Sequence, residues 1–333
     1  MKLQTTYLGN VYQFSSLKDL FAKANEEKSG DRLAGLAAET VQERIAAKEV
    51  LSQLTLADIR ENPMLSAEED EVSRIIENQV NEPIYQSLKN WSVAELREYM
   101  LSDSVTGEDL KRISRGLNSE SIAAVAKLMS NLDLVTAANK IEILTKCNIT
   151  IGHKGTLTSR LQPNHPTDSV DGMIASLKEG LSYGIGDAVI GINPVDDSVE
   201  SVKRLLNATH DFIQHWQIPA QNSVLAHVTA QMKAIEQGAP ADMIFQSIAG
   251  TEAANKSFGI TTSMLAEAND MARQFGTGTG PQRMYFETGQ GSELSSEAHH
   301  GIDQMTLESR NYGYAKYFDP FIVNTVVGFI GPE

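Results

Sequence analysis

The chain has 333 residues, of which 41% are hydrophobic, so it can bury a sizeable core and form about two domains. Its 43 acidic and 28 basic residues give a formal net charge of -15, which disfavours nucleic acids and anionic membranes as partners because both are repelled by such a surface. The single cysteine, the lack of a membrane-length apolar segment and an N-terminus without a signal-peptide core predict a cytosolic protein.

Residues 1–150 are predicted to form a mainly helical domain. Glycine is sparse there, and the sequences ENP at 61–63 and NEP at 81–83 are predicted to break helices. Apolar side chains recur at helical spacing. Three such stripes are Leu17, Leu20, Phe21 and Ala24; Val41, Ile45, Val50 and Leu54; and Ile122, Val125, Leu128 and Met129.

In residues 151–333, short β-rich segments alternate with amphipathic helices, which is typical of parallel strands covered by helices. One helix is predicted from Val170, with Asp168 as its cap; a second is predicted to be capped from DDS at 196–198, and a third to stop at Gly276. The predicted strands are 156–162, 187–193, 223–228, 243–248, 283–287 and 321–330.

Six strands with five crossovers fit either a doubly wound sheet or a shortened (β/α)8 barrel. A complete barrel usually takes ~250 residues, more than residues 151–333 provide. The chain also ends directly after a strand, without a closing helix. We therefore predict an α/β fold, a TIM barrel truncated after its sixth strand and lacking roughly its last two βα units.

The stretch GIGDAVIGINPV, residues 184–195, resembles a glycine-rich nucleotide loop only superficially. A dinucleotide fingerprint needs its glycines after a strand and before a helix. Here Gly184 and Gly186 follow a helix and precede the strand, so they are predicted to form a helix C-cap and a tight αβ turn. The strand is predicted to deliver Asn193 at its carboxyl end, where Pro194 terminates it.

Polar side chains collect at the predicted carboxyl ends of the strands, where parallel α/β folds place their sites. Three of these candidate residues also have a simpler explanation. Asn193 before proline could be a turn residue, Arg160 a structural ion-pair partner of Glu287, and His227 a core histidine whose hydrogen bonds are satisfied. His210 and His215 have the wrong spacing for paired metal ligands on one helix face. The strand-end candidates are Arg160, Gln162, Asn193, His227, Gln246, Ser247, Glu287 and residues 324–329.

Four of these residues predict the ligand by their chemistry. Gln162 and Asn193 can hold a hydroxyl, and an ionised Glu287 suits an ammonium group. Arg160 lies on the same predicted face as Gln162. These residues would position a small cationic substrate. Because the sequence shows no nucleophile–base pair, we expect a cofactor to perform the difficult chemical step.

At these residues the chain resembles the heavy chain of ethanolamine ammonia-lyase. The segments that carry the resemblance span essentially the whole chain and include the N-terminal NVYQF and the strand ends. They are SGDRLAGLAAETVQERIAAKEVLS, SRLQPN, GDAVIGINPV, LAHVT, IFQSI, YFETGQGS and YFDPFIVNTVVGFIGPE.

The resemblance implies a (β/α)8-barrel lyase that uses adenosylcobalamin to convert ethanolamine into acetaldehyde and ammonia. In that family an adenosyl radical takes a hydrogen from the carbinol carbon before ammonia leaves. By resemblance, Gln162 holds the substrate hydroxyl, Glu287 holds the amino group, and Arg160 and Asn193 complete the pocket, with Arg160 and Glu287 as catalytic residues. The other implied contacts are Pro194, Gln246 and Ser295 to the coenzyme, and Val326 and Phe329 as apolar wall.

The resemblance also implies a separate light chain, further association of heavy chains and housing in a bacterial microcompartment. Family heavy chains continue past Glu333 into a region that includes a second substrate-binding aspartate, so we expect this chain alone to be inactive. Ser257 stands where the family carries an acid near the coenzyme ribose, which would weaken that contact.

Two other functions fit parts of the pattern. A cofactor-independent barrel lyase or isomerase would use Glu287 as a base and would turn over without a corrinoid. A non-catalytic scaffold of a microcompartment would be indifferent to Glu287→Gln. The intact set of Arg160, Gln162, Asn193 and Glu287 argues against the scaffold, since drift would be expected to break it.

Overall fold

A computed structural model describes residues 1–289 and 298–325 of the chain, and it has a mixed α/β fold. Within these two ranges there are sixteen helices, ten short strands and several small sheets. None of the helices found there combines the length and the apolar character needed to cross a membrane. The prediction of an α/β chain with a helix-rich N-terminal part is confirmed.

The N-terminal part begins with an antiparallel hairpin, β1 (Gln4–Tyr7) and β2 (Asn10–Gln13). Helices follow whose N-caps are mostly serine, threonine, asparagine or aspartate, which bind the free N–H groups of the first turn. They are α1 (Leu17–Ala24), α2 (Ser29–Leu33), α3 (Val41–Gln53), α4 (Leu56–Arg60), α5 (Glu71–Asn78), α6 (Glu82–Leu88), α7 (Val93–Leu101), α8 (Gly107–Ser114), α9 (Ser119–Lys127) and α10 (Asn131–Lys140).

One prediction for this part needs correction, and another is confirmed with a further detail. In α3 the buried face is Ala46, Ala47, Val50 and Leu51, whereas Val41 and Ile45 are exposed, because small alanines allow α1 to pack closely on that side. The NEP sequence lies at a break between α5 and α6, as predicted, and it also opens α6: its asparagine is the N-cap and its proline lies in the first turn, where a missing N–H costs nothing.

A short hairpin, β3 (Thr145–Lys146) and β4 (Thr150–Ile151), leads into two parallel three-stranded sheets. The first sheet has the order β5-β6-β7, with β5 (Arg160–Leu161), β6 (Val189–Ile192) and β7 (Asn222–Val224). The second contains β8 (Ile244–Ile248), β9 (Met284–Thr288) and β10 (Ile322–Asn324), with β9 in the middle. The described residues form no closed barrel, so the truncated barrel is not confirmed.

All six predicted strands exist, but most are shorter than predicted. Only two residues of 156–162 pair, because the first part of that segment is exposed, Leu157 at 99%, and has no buried face to hold it in a sheet. Part of the prediction for 321–330 falls outside the described residues. The covering helices are α11 (Val170–Ser182), α12 (Val199–Trp216), α13 (Val228–Glu236), α14 (Glu252–Ser257), α15 (Thr262–Phe275) and α16 (Gln304–Lys316).

The predicted helix ends are mostly confirmed. Ser198 caps α12 and Gly276 follows α15, while Gly184 and Gly186 adopt φ of 76° and 106° in the turn after α11. Asp168, however, does not cap α11; Ser169 does. The Asp168 carboxylate instead bonds to the backbone after β6, described below.

Buried charged side chains connect the N-terminal helices to the strand-containing part. Arg310 of α16 is 1% exposed and donates to Glu120 Oε1 at 2.5 Å and to Asp70 Oδ2 at 2.9 Å. Nearby, Lys127 Nζ contacts Asp303 Oδ1 at 2.5 Å, with both side chains fully buried. The proposed division at residue 150 into two domains stays a prediction, and these contacts cross it.

Candidate active site

The two parallel sheets bring a base and an acid together at their carboxyl ends. Arg160 is the first residue of β5, in one sheet, and Glu287 is the fourth residue of β9, in the other. Arg160 NH1 nevertheless lies 3.2 Å from Glu287 Oε1. Their side chains are 23% and 18% exposed, so the pair is half-buried and still open to solvent on one side. This ion pair is also what the simpler explanation of Arg160 predicts, so the functional roles of both residues stay predictions.

Asn324 is the second partner of Glu287. The two residues are paired in register between β10 and β9, and Asn324 Nδ2 donates to Glu287 Oε1 at 2.6 Å. Arg160 and Asn324 therefore bind the same carboxylate oxygen. Within the described residues Glu287 Oε2 has no hydrogen-bond partner, which leaves it available to a donor from a ligand.

Tyr285 extends this cluster into the protein. It is fully buried on β9, and because side chains alternate along a strand it points to the same face as Glu287 two residues later. Its hydroxyl oxygen accepts a hydrogen bond from Arg160 NH1, and its ring packs edge-on against Phe245 with centroids 5.0 Å apart. Burial raises the pKa of Tyr285 to about 12.

Gln162 and Asn193 follow the neighbouring strands β5 and β6 and are half-buried. Asn193 N donates to Pro163 O at 3.0 Å, which ties the two strand ends together. The side-chain amides of Gln162 and Asn193 make no hydrogen bond to the residues that the structure describes. Both amides are thus free to bind a hydroxyl or carbonyl group at this edge of the sheet.

Asp168 fixes the turn that carries Asn193. It is 3% exposed, adopts a left-handed φ of 50°, and its Oδ1 accepts from Val195 N at 2.9 Å while its Oδ2 accepts from Asp196 N at 2.8 Å. A carboxylate with two backbone donors holds the segment after Pro194 firmly. Asp168 therefore positions the Asn193–Pro194 turn from the neighbouring loop.

The residues predicted to contact a coenzyme are only partly within the described chain. Pro194 is half-buried after β6. Gln246 on β8 is 5% exposed and already engaged: its Oε1 accepts from Val228 N at 2.9 Å and its Nε2 donates to Ser247 O at 3.1 Å. Ser257 donates to Ala254 O at 2.7 Å within its own helix. The predictions for Ser295, Val326 and Phe329 lie outside the described residues.

His227 behaves as a structural histidine, as the simpler explanation suggested. It is the N-cap of α13, where its Nδ1 lies 2.8 Å from Thr229 Oγ1 and its Nε2 lies 3.3 Å from Phe258 O. Both ring nitrogens are occupied by these contacts, which fix the start of the helix.

The sequence did not single out Tyr285, and it assigned Asp168 to the wrong role. The alternation in MYFET could have indicated that Tyr285 shares a face with Glu287. Nothing in the sequence around Asp168 distinguishes a helix cap from a carboxylate that reaches across to the next loop, because the contact joins residues 27 and 28 positions apart.

Comparison with known proteins identifies the family of the chain. The family model of the ethanolamine ammonia lyase large subunit (EutB) matches residues 12–333. The large subunits of ethanolamine ammonia-lyase from Escherichia coli strain K12 and from Salmonella typhimurium strain LT2 are each 54% identical to the chain over 333 residues, covering 100% of it and 74% of the relative. The chain therefore belongs to the family of ethanolamine ammonia-lyase large subunits.

Proposed function

We propose that the chain belongs to an adenosylcobalamin-dependent lyase that converts ethanolamine into acetaldehyde and ammonia. The observation that carries this proposal is the carboxylate of Glu287, held by Arg160 and Asn324 through one oxygen and open at the other. An acceptor-only group at the mouth of a sheet suits the ammonium end of a small amino alcohol. The names of the relatives support the reaction class.

The described residues supply partners for both ends of ethanolamine. Glu287 Oε2 would accept from the ammonium group, while the free amides of Gln162 and Asn193 would bind the hydroxyl. Arg160 lies beside Glu287 and would act electrostatically near the amino group as it migrates. These groups orient the substrate, since holding both ends restricts it to a reactive geometry.

A cofactor fits this set of residues because the described strand ends offer neutral amides and a held carboxylate, with no nucleophile–base pair among them. Adenosylcobalamin would supply the radical chemistry through cleavage of its cobalt–carbon bond. Pro194 would contribute to holding it by its half-buried ring, whereas Gln246 would first have to release its bonds to Val228 N and Ser247 O. The position of Pro194 after the carboxyl end of β6 fits a ligand that covers the substrate site.

Further parts of the proposal concern the assembly. In each parallel sheet, neighbouring strands follow one another along the chain, as they do in the wall of a (β/α)8 barrel. This order supports the proposal that the strands are part of such a barrel. We also propose a small subunit as partner, association of large subunits and housing in a bacterial microcompartment. The inactivity of this chain alone stays a prediction, which ammonia release by the 333-residue chain with and without a small subunit would test.

The experiment mixes the large subunit, extended to the full length of its relatives, and a small subunit with ethanolamine, with adenosylcobalamin added or omitted, and measures acetaldehyde and ammonia. Product that depends on the coenzyme is the expected result. Product without the coenzyme would instead favour a cofactor-independent lyase with Glu287 as base. If both proteins are folded and neither mixture gives product, the lyase proposal is wrong and a scaffold function takes its place.

A further inference from the structure

We propose that Tyr285 is a positioning residue whose hydroxyl holds the Arg160 guanidinium in place beside Glu287. The inference rests on the proposed function for its catalytic consequence. Its structural basis is a single nitrogen, Arg160 NH1, that donates both to Tyr285 Oη and to Glu287 Oε1. Tyr285 does not reach the open oxygen of Glu287, so it acts through Arg160.

The contact to Glu287 alone does not fix the position of Arg160. The distance to Glu287 Oε1 is 3.2 Å, whereas charge-assisted N–H···O bonds usually measure ~2.7–2.9 Å. The same nitrogen also donates to Tyr285 Oη. An arginine side chain has many rotamers and pays entropy to adopt one, so a close second acceptor is what keeps this guanidinium in place.

The Tyr285 ring is fixed on several sides and offers a rigid acceptor. It is fully buried with Val189, Met243 and Phe321 and lies edge-on to Phe245. Gly191 on β6 also lies beside the ring, since a Cβ there would be in ordinary contact with Tyr285 Cε1, at 3.6 Å. The guanidinium carbon of Arg160 lies 5.9 Å from the centre of the ring. A ligand that binds at the strand ends would not displace such a side chain.

A neutral acceptor suits this role. Burial raises the pKa of Tyr285 to about 12, so the phenol remains uncharged over the range in which enzymes are assayed. A second carboxylate at this position would compete with Glu287 for the charge of Arg160. The phenol instead binds one N–H and leaves the positive charge directed toward Glu287 and the substrate.

The test is Tyr285→Phe in the full chain assembled with its small subunit, because phenylalanine keeps the ring and removes only the hydroxyl. The matched control is Tyr314→Phe, which removes a buried hydroxyl 3.0 Å from Thr262 Oγ1, outside the candidate site. We expect similar small shifts in thermal midpoint for both variants. We expect kcat for ethanolamine to fall by about 10- to 100-fold in Tyr285→Phe only, with KM changed far less, because a misplaced catalytic group costs about that much.

A second measurement is independent of turnover. Crystal structures of the wild type and of Tyr285→Phe would compare the position and order of the Arg160 guanidinium. A guanidinium that moves away from Glu287 or loses order supports the inference, even if the wild type proves not to act on ethanolamine. A guanidinium that stays in place, with kcat unchanged, would overturn it. Absence of ammonia release by the wild type would contradict the proposed function. The inference about Tyr285 would then be decided by the position of the Arg160 guanidinium in the two crystal structures.

Discussion

Glu287 Oε1 accepts hydrogen bonds from Arg160 and Asn324, and each donor belongs to a different strand. Truncation by Asn324→Ala removes the shorter of these bonds, which measures 2.6 Å. Hydrogen bonds to charged groups contribute ~1.5–3 kcal/mol, so we expect kcat/KM for ethanolamine to fall by about 10- to 100-fold. Steady-state kinetics of the assembled enzyme measures the change.

The control for this variant is Asn324→Asp, which keeps the shape but places a second carboxylate against Glu287. Like charges at this distance repel, so the loss should exceed that of alanine. If alanine and aspartate both leave kcat/KM unchanged, Asn324 does not orient Glu287.

Asp31 is a buried acid whose charge should make stability depend on pH. Burial, and then the neighbouring charge of Asp303, raise the pKa of the Asp31 carboxyl from 3.8 to about 6. The folded state therefore binds the proton more tightly than the unfolded state, and the free energy of unfolding falls as pH rises through this window. Between about pH 4 and about pH 7, we expect the free energy of unfolding of the wild type to fall by up to about 3 kcal/mol more than that of Asp31→Asn.

Urea denaturation at about pH 4 and about pH 7 measures this difference. Asp211→Asn, at an exposed position of α12, controls for the loss of one negative charge. A difference between wild type and Asp31→Asn that is constant with pH, or that grows in favour of the wild type, would contradict the assignment.

The sequence indicated which residues are candidates for the site, but it did not indicate their partners. Residue type and strand-end position were enough to select Arg160, Gln162, Asn193 and Glu287. The contacts that orient them depend on tertiary structure: β5 and β9 lie in separate sheets, and no spacing in the sequence shows that their ends meet.

At the scale of elements, the turn after β6 depends on one carboxylate from the preceding loop. Asp168→Ala removes the bonds to Val195 N and Asp196 N and places alanine at a left-handed φ of 50°. Lost bonds of a buried charged group cost ~1–3 kcal/mol and the backbone strain adds ~1–2 kcal/mol. We expect a loss of about 2–5 kcal/mol in the free energy of unfolding, measured by urea denaturation.

Asp168→Asn is the matched variant, because asparagine tolerates a left-handed φ and keeps one acceptor oxygen. It should cost clearly less than alanine. Equal losses from both substitutions would show that neither the backbone conformation nor the remaining acceptor matters at this turn.

Element type was predictable and element length was not. Alternating β-rich and amphipathic segments correctly indicated six strands with helices between them. Pairing within a sheet extends only as far as both neighbours are buried and in register, as β5 illustrates with its two paired residues. The NEP segment shows a related limit: the same residues can end one helix or cap the next, and only the chain path decides.

At the scale of the whole molecule, Arg310 joins the N-terminal helices to the strand-containing part. Arg310→Met would leave Asp70 and Glu120 buried without their cation. Removal of one partner of a buried ion pair typically costs ~3–5 kcal/mol, and we expect a loss of that size in the free energy of unfolding. Chemical denaturation measures it.

Arg74→Met is the control, since Arg74 is 51% exposed and pairs with Glu71 at 2.9 Å on the surface. Exposed pairs contribute ~0–1 kcal/mol, so this variant should be nearly neutral. Comparable effects of the two substitutions would mean that the buried network does not hold the two parts together.

The α/β fold class could be predicted from the sequence, but whether the strands close into a barrel could not. Composition and periodicity indicate α/β elements because they report which faces are buried. Whether strands join into one continuous barrel depends on hydrogen bonds between strands far apart in sequence, and the parallel strands among the described residues form two separate sheets. The link through Arg310 was equally inaccessible, because its partners lie 190 and 240 residues away.

The central claim is that Glu287 binds the ammonium end of ethanolamine at the strand ends. Isothermal titration of ethanolamine into the assembled protein, wild type and Glu287→Gln, tests it most directly. Glutamine keeps the shape and an acceptor for Arg160 and Asn324 but removes the charge, so the account predicts a Kd weaker by about 10- to 100-fold. Equal affinity of the two proteins for ethanolamine would contradict the account.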